Sequence, residues 1–201
     1  MASGADPGIV AGMNDLTRRT ARRSMGTPLV RSYVQHIEAP PQVVFPLICP
    51  VREGDWLEGW AERCEVIWSA SGLAEPGCVF RTAEDDGPDT VWIITDHDPD
   101  RGVVVFARVT AGLAASTLRF EVGPSGDGGS AVSVRYTVVP ISPEGEAYAA
   151  ERYDRRELSA AVIWDERSMN HYLRTGQMLR RKDHHTASGA RPVGPDGTGK
   201  E

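Results

Sequence analysis

The chain has 201 residues, 40 % of them apolar and 25 % charged, which suits one soluble domain with a substantial core. A formal net charge of −6 argues against a nucleic-acid binder that works through a broad basic surface. The three cysteines, Cys49, Cys64 and Cys78, form no C-x-x-C pair and offer no zinc-ligand spacing, so no metal and no cofactor is expected.

Residues 1–27 are rich in Gly, Ala and Arg and lack hydrophobic periodicity. Arg18, Arg19, Arg22 and Arg23 form a basic cluster without apolar anchors, which predicts a solvated tail rather than a phosphate-binding arm or a transit peptide. Met1, Met13 and Met25 all remain candidate starts. The segment lacks the apolar core of a secretory signal, and no run is long enough to span a bilayer, so a cytoplasmic location is expected.

Alternation then predicts strands at 31–38, 63–71, 78–84, 90–97, 102–110, 115–123 and 130–140. Between the first two, Pro41 opens a short helix over 41–48, and a second helical turn is expected over 51–57. Turn-forming runs separate the later strands: 72–77, 85–89, 98–102 and 123–129. Strands joined this closely predict an antiparallel meander. Ser142-Pro143-Glu144 then starts a long helix, with a hydroxyl cap, proline in the first turn and an acid behind it. It is expected to run to about Arg181, with a bend near 154–156. A domain over 28–182 is therefore flanked by tails at 1–27 and 183–201, the second carrying His184 and His185.

Several strands assign their own faces. Ser116, Leu118, Phe120 and Val122 oppose Thr117, Arg119 and Glu121, and Val132, Val134, Tyr136 and Val138 oppose Ser133, Arg135 and Thr137. Cys64, Val66 and Trp68 oppose Glu65 and Ile67. The apolar set is expected to face the long helix. Strands 90–97 and 102–110 are apolar on both faces, which leaves Trp92, Asp96, His97 and Phe106 undecided. On the helix, Leu158, Ala161, Val162, Met169, Tyr172, Leu173 and Gly176 fall on one stripe, with Asp165 in its middle and His171 off it. A carboxylate there needs an ion-pair partner, such as Arg81 or Arg135, or a place beside a wet cavity or ligand.

The Ala39-Pro-Pro-Gln-Val-Val-Phe45 segment, the Cys49-Pro-Val-Arg-Glu-Gly-Asp-Trp56-Leu-Glu-Gly-Trp60 block, Ser71-Gly72 to Phe80, and the His171-Tyr-Leu-Arg-Thr-Gly176 helix end resemble the START-like helix-grip superfamily (SRPBCC). Within it they resemble the polyketide cyclase/dehydratase-like branch, over about residues 29–181. The resemblance implies an α+β fold with a seven-stranded curved antiparallel sheet. Two short helices follow its first strand, and a C-terminal helix lies across the concave face. It also implies an apolar cavity for lipids, sterols or polyketides, and no shared catalytic triad.

A curved sheet cannot close on one helix everywhere, and this chain places large amphipathic residues around the expected gap. The candidate ligand-binding set is Gln35, Trp56, Trp60, Trp68, Trp92, Phe106, Ser116, Phe120, Tyr136, Asp165 and Tyr172. The expected partner is a small hydrophobic molecule, with no nucleic acid and no membrane span, and homodimerisation is left open. An alternative is a cyclase or dehydratase in which Tyr136, Ser116, Asp96 or Arg81 polarises carbonyls and moves protons. A third reading is a protein-interaction module with an exposed apolar patch at Trp56 and Trp60. Glu53, Asp55 and Glu58, as loop acids, are expected to face water.

Overall fold

The computed structural model describes residues 27–84 and 87–181, so nearly all of both expected tails lies outside the described residues, with the basic cluster and the His184–His185 pair. Seven strands form close to where the sequence predicts them: β1 (Leu29–Ile37), β2 (Cys64–Trp68), β3 (Val79–Thr82), β4 (Thr90–Asp98), β5 (Val103–Thr110), β6 (Ala114–Pro124) and β7 (Ser130–Pro140). They form one antiparallel sheet in the order β1-β7-β6-β5-β4-β3-β2, a meander from β2 to β7 with β1 added beside β7. Between β1 and β2 come three one-turn helices: α1 (Pro41–Val44), extended by a 3-10 turn at Phe45–Leu47, then α2 (Glu53–Trp56) and α3 (Trp60–Arg63).

The single expected C-terminal helix is two. Helix α4 (Pro143–Arg152) starts where Ser142 accepts a hydrogen bond from the Gly145 amide. Helix α5 (Arg155–Thr175) starts afresh at Asp154, whose carboxylate accepts from the amides of Arg156 and Glu157 at 2.8 and 3.3 Å. A capping carboxylate that takes two free N–H groups ends one helix and begins another more cheaply than a bent continuous helix would. At the far end Gly176 adopts φ +69° and closes α5, so the helix stops at Thr175 and not near residue 181.

Register settles the faces the sequence left open. Trp92 pairs with Arg108, Ile94 with Phe106, Phe106 with Leu118, and Leu118 with Tyr136, so these side chains line one concave face. A bulge between Ile94 and Asp96 then reverses the parity of β4. Asp96 turns outward to pair with Arg101 at 3.2 Å, while the His97 ring meets Phe45 at 5.0 Å.

Helix α5 is fastened to β1. The Gln35 side-chain amide donates to the Val162 carbonyl at 2.9 Å, and Asn170 bridges the Glu38 amide and the His36 carbonyl at 2.8 and 2.9 Å. Two apolar clusters result. One packs the α1–α2 segment and Met169 onto Phe80, Ile94, Val104 and Phe106, and the other gathers Ala149, Tyr153 and Leu158 over Ala114 and Val138. Tyr136 touches both clusters, and the space between them is not filled.

Candidate functional site

A cavity of about 300 Å³ lies between the concave face of the sheet, the α1–α3 elbow and the start of α5. Its aromatic wall follows from the register. Phe80 stacks on Trp92 at 5.3 Å, and Phe106 stands edge-on to Phe80, Trp92 and Phe120 at 6.0, 6.1 and 6.0 Å. The elbow supplies the lid. Trp56 donates from its indole N–H to the Leu47 carbonyl at 3.1 Å, and Trp60 donates to the Pro50 carbonyl at 2.7 Å. With both N–H groups bound to backbone, the indole faces are fixed over the cavity.

Glu53, Asp165, Tyr136, Arg108 and Tyr153 interrupt this apolar wall: Glu53 and Tyr136 feel the charge of Asp165, and Tyr136 and Tyr153 that of Arg108. Asp165 is desolvated, which pushes its carboxyl up to about 7 against the opposing charges of Arg181 and Arg63. Glu53 is raised well above the usual carboxylate range, first by burial and then by the charge of Asp165. Arg108 is only 7 % exposed. Its guanidinium carbon lies 4.3 Å from the Trp92 ring centroid and 5.4 Å from that of Tyr153, and one terminal nitrogen donates to the Tyr153 hydroxyl. Burial raises the phenols of both Tyr136 and Tyr153, while the Arg108 charge pulls each back down.

Eight of the eleven residues singled out from the sequence line this cavity: Gln35, Trp56, Trp60, Trp92, Phe106, Phe120, Tyr136 and Asp165. Three do not. Trp68 is 54 % exposed, because a bulge between Val66 and Trp68 breaks the alternation on an edge strand. Ser116 stands opposite Arg108 in the ladder and serves the Tyr153 hydroxyl instead. Tyr172 packs against the outside of the core and hydrogen-bonds Arg52. Arg81, weighed as a partner for Asp165 and as a catalytic group, is exposed and pairs with Glu65 and Asp89 at 2.6 and 3.4 Å. Arg135, the other suggested partner, is exposed on the face away from Tyr136.

Sequence reasoning missed Arg108, Tyr153 and Trp164, all of which line the cavity, and it placed Glu53 and Glu58, which also line it, in water. Arg108 is in phase with Phe106 on β5, and Asp154-Arg-Arg-Glu157 is a recognisable capping signal that fixes Tyr153 at a break. The exposed patch at Trp56 and Trp60 that would favour an interaction module is not found: Trp56 is buried and Trp60 half-buried. At the cavity mouth Arg152 faces Glu84 at 3.7 Å, and Arg181 stacks on Trp164 at 4.6 Å. Among the described residues no helix is long and apolar enough to cross a membrane, and no three His, Cys, Asp or Glu side chains group to hold a metal.

No protein-family model and no curated protein matches the chain. Solved structures do. Norcoclaurine synthase from Thalictrum flavum is 12 % identical, with a TM-score of 0.55, covering 83 % of this chain and 94 % of its own. An aromatase/cyclase, Zhui, from Streptomyces sp. R1128 is also 12 % identical with a TM-score of 0.55, covering 76 % of this chain and 100 % of its own. Ginseng major latex-like protein 151 from Panax ginseng matches at 12 % identity and a TM-score of 0.55, over 73 % of this chain and 98 % of its own. Identity this low speaks for architecture alone. With the sheet order, the short helices after β1 and the long helix fastened across the concave face, it establishes that the chain has the START-like helix-grip fold.

Proposed function

We propose that the chain binds a small hydrophobic molecule with aromatic character in the cavity between the sheet and α5. The observation that carries this reading is the cavity itself. At about 300 Å³ it sits at the low end of small-molecule sites, with aromatic walls and a few fixed polar groups. Solved proteins of this fold, among them the aromatase/cyclase, add weight. One structure of the Thalictrum flavum norcoclaurine synthase, 12 % identical to this chain with a TM-score of 0.54, holds dopamine and hydroxybenzaldehyde. Native mass spectrometry of the purified protein, with thermal denaturation against a panel of lipids and polycyclic phenols and ketones, tests the proposal. A retained small molecule, or a melting temperature that rises with ligand concentration, supports it. A panel that leaves the melting temperature unchanged, together with a bare mass, sinks it.

One observation favours a second reading, a polyketide cyclase or dehydratase. Arg108, Tyr136 and Asp165 converge on one cavity, and Asp165 has a carboxyl pushed up to about 7. A base poised near neutrality can take a proton from a methylene flanked by carbonyls, while Arg108 and Tyr136 hold the resulting enolate oxygen. The test is turnover of an aromatic β-diketone with an aldol acceptor arm. Asp165→Asn should abolish turnover while the compound still binds. No conversion above the buffer rate by the unaltered protein would remove this reading and leave the first intact.

A further inference from the structure

Arg108 is a cation without a countercharge. It sits on the concave face at the inner end of the cavity, 7 % exposed, between the rings of Trp92 and Tyr153. The guanidinium carbon lies near both ring centroids, and the Tyr153 hydroxyl takes one N–H. No described carboxylate forms an ion pair with it, and its buried Nε has no hydrogen-bond partner. A buried arginine ordinarily has a carboxylate or several acceptors, since an unpaired charge inside a protein is costly. Cation–π contact offsets only part of that cost.

The cavity as a whole leans the same way. Its lining carries four arginines, Arg63, Arg108, Arg152 and Arg181, and four acids, Glu53, Glu58, Glu84 and Asp165. Burial raises Asp165 and Glu53 toward their neutral forms, so near neutral pH the positive charges outweigh the negative ones. This holds although the whole chain has a net charge of −6.

We infer that the occupant of the cavity is an aromatic acid whose anionic group is read by Arg108. The inference rests on the cavity-binding reading above and adds the charge class of the ligand. A planar carboxylate suits the planar guanidinium, and the rings beside it accommodate a fused aromatic body. The carboxylate would supply the countercharge that the fold itself omits. Tyr136, which shares the lining and feels the Arg108 charge, would donate its phenolic proton to a second oxygen of the same ligand.

The test compares 2-naphthoate with its neutral counterpart 2-naphthamide at pH 7.5, by tryptophan-fluorescence titration in low salt and in 0.5 M NaCl. The unaltered protein should bind the naphthoate at least tenfold more tightly, with the preference kept within about threefold in salt, because a buried cation is poorly screened. Arg108→Gln should reduce the preference to less than twofold, and Arg108→Lys should keep most of it. Equal binding of the two probes by the unaltered protein overturns the charge assignment but leaves a hydrophobic pocket. A preference that collapses in salt assigns the effect to the mouth arginines and overturns the role of Arg108, a result that stands even if the Gln variant does not fold. A full preference in a folded Arg108→Gln protein does the same. If neither probe binds, this inference falls, while the cavity-binding reading is decided separately by the mass spectrometry and ligand panel above.

Discussion

Asp165 makes the fold pH-sensitive in a direction opposite to that of ordinary paired carboxylates. In the folded chain its carboxyl is pushed up to about 7, against an ordinary value of 3.8, chiefly by loss of water. The folded state therefore holds a proton that the unfolded chain releases between pH 4 and 7. Stability falls with rising pH wherever the native state binds more protons, here by about 1.4 kcal/mol per pH unit across that window. About three pH units give a ceiling of about 4 kcal/mol, and water reaching the cavity reduces this to about 2 kcal/mol. Asp165→Asn removes the ionisable group but keeps its shape. The variant should match the unaltered protein at pH 4 and become more stable than it by about 2 kcal/mol at pH 8. Part of the rise at Glu53 comes from the Asp165 charge, so the variant should relax Glu53 as well and add to the effect. Urea denaturation of both proteins from pH 4 to 8 measures this. Acids held low by hydrogen bonds, such as Asp98, Asp127 and Asp154, contribute the opposite slope at lower pH, but equally in both proteins. A stability difference that stays constant from pH 4 to 8 would refute the assignment of Asp165 as a desolvated acid.

Three further substitutions probe how the site is built. Gly145→Ala places a Cβ 1.9 Å from the Leu113 carbonyl oxygen, a backbone atom that cannot swing away, so about 2 kcal/mol or more should be lost in urea denaturation. Asp154→Ala removes the acceptor for two amides at the start of α5; about 1 kcal/mol of stability should go, with a small loss of helical circular dichroism. Phe106→Ala empties the centre of the ring cluster and should cost about 3–5 kcal/mol, while the enlarged cavity admits bulkier hydrophobes in thermal-shift assays.

The elements that could be read from the sequence are those in which a local rule and the tertiary fold agree. Alternation fixed β6 and β7 because each has one apolar face, and the Ser142 cap declared itself through the proline and acid that follow. Asp165 stood out because a carboxylate in an apolar stripe contradicts its surroundings. Arg108 lay hidden for the converse reason. Strand β5 is apolar on both faces, so no alternation shows which way an arginine points; only pairing with β6, itself unambiguous, turns it inward. Trp68 was misdirected by a bulge, where one extra residue reverses the period of two without changing composition, and a second bulge decides the face of Asp96 that the sequence left open. Glu53 belongs to a single helical turn, too short for any period, and its burial is decided by α5 more than a hundred residues away.

The placement of these groups bears on what the cavity is for. A cavity kept only as a packing flaw would be lined most cheaply by hydrocarbon, since replacing buried charges with apolar residues of like volume is often neutral or stabilising. This one instead holds Glu53, Asp165, Arg108 and Tyr136. Asp165 and Arg108 do not neutralise each other: the opposing charges at Asp165 come from Arg181 and Arg63, not from Arg108. Each is therefore a separate electrostatic demand that an occupant could meet. A ligand acid at Arg108 and a hydrogen-bond donor or cation at Asp165 would satisfy the site together. On the binding proposed above, the stability that these groups withhold from the fold would return as binding energy, which is the relation expected where a protein trades stability for a site.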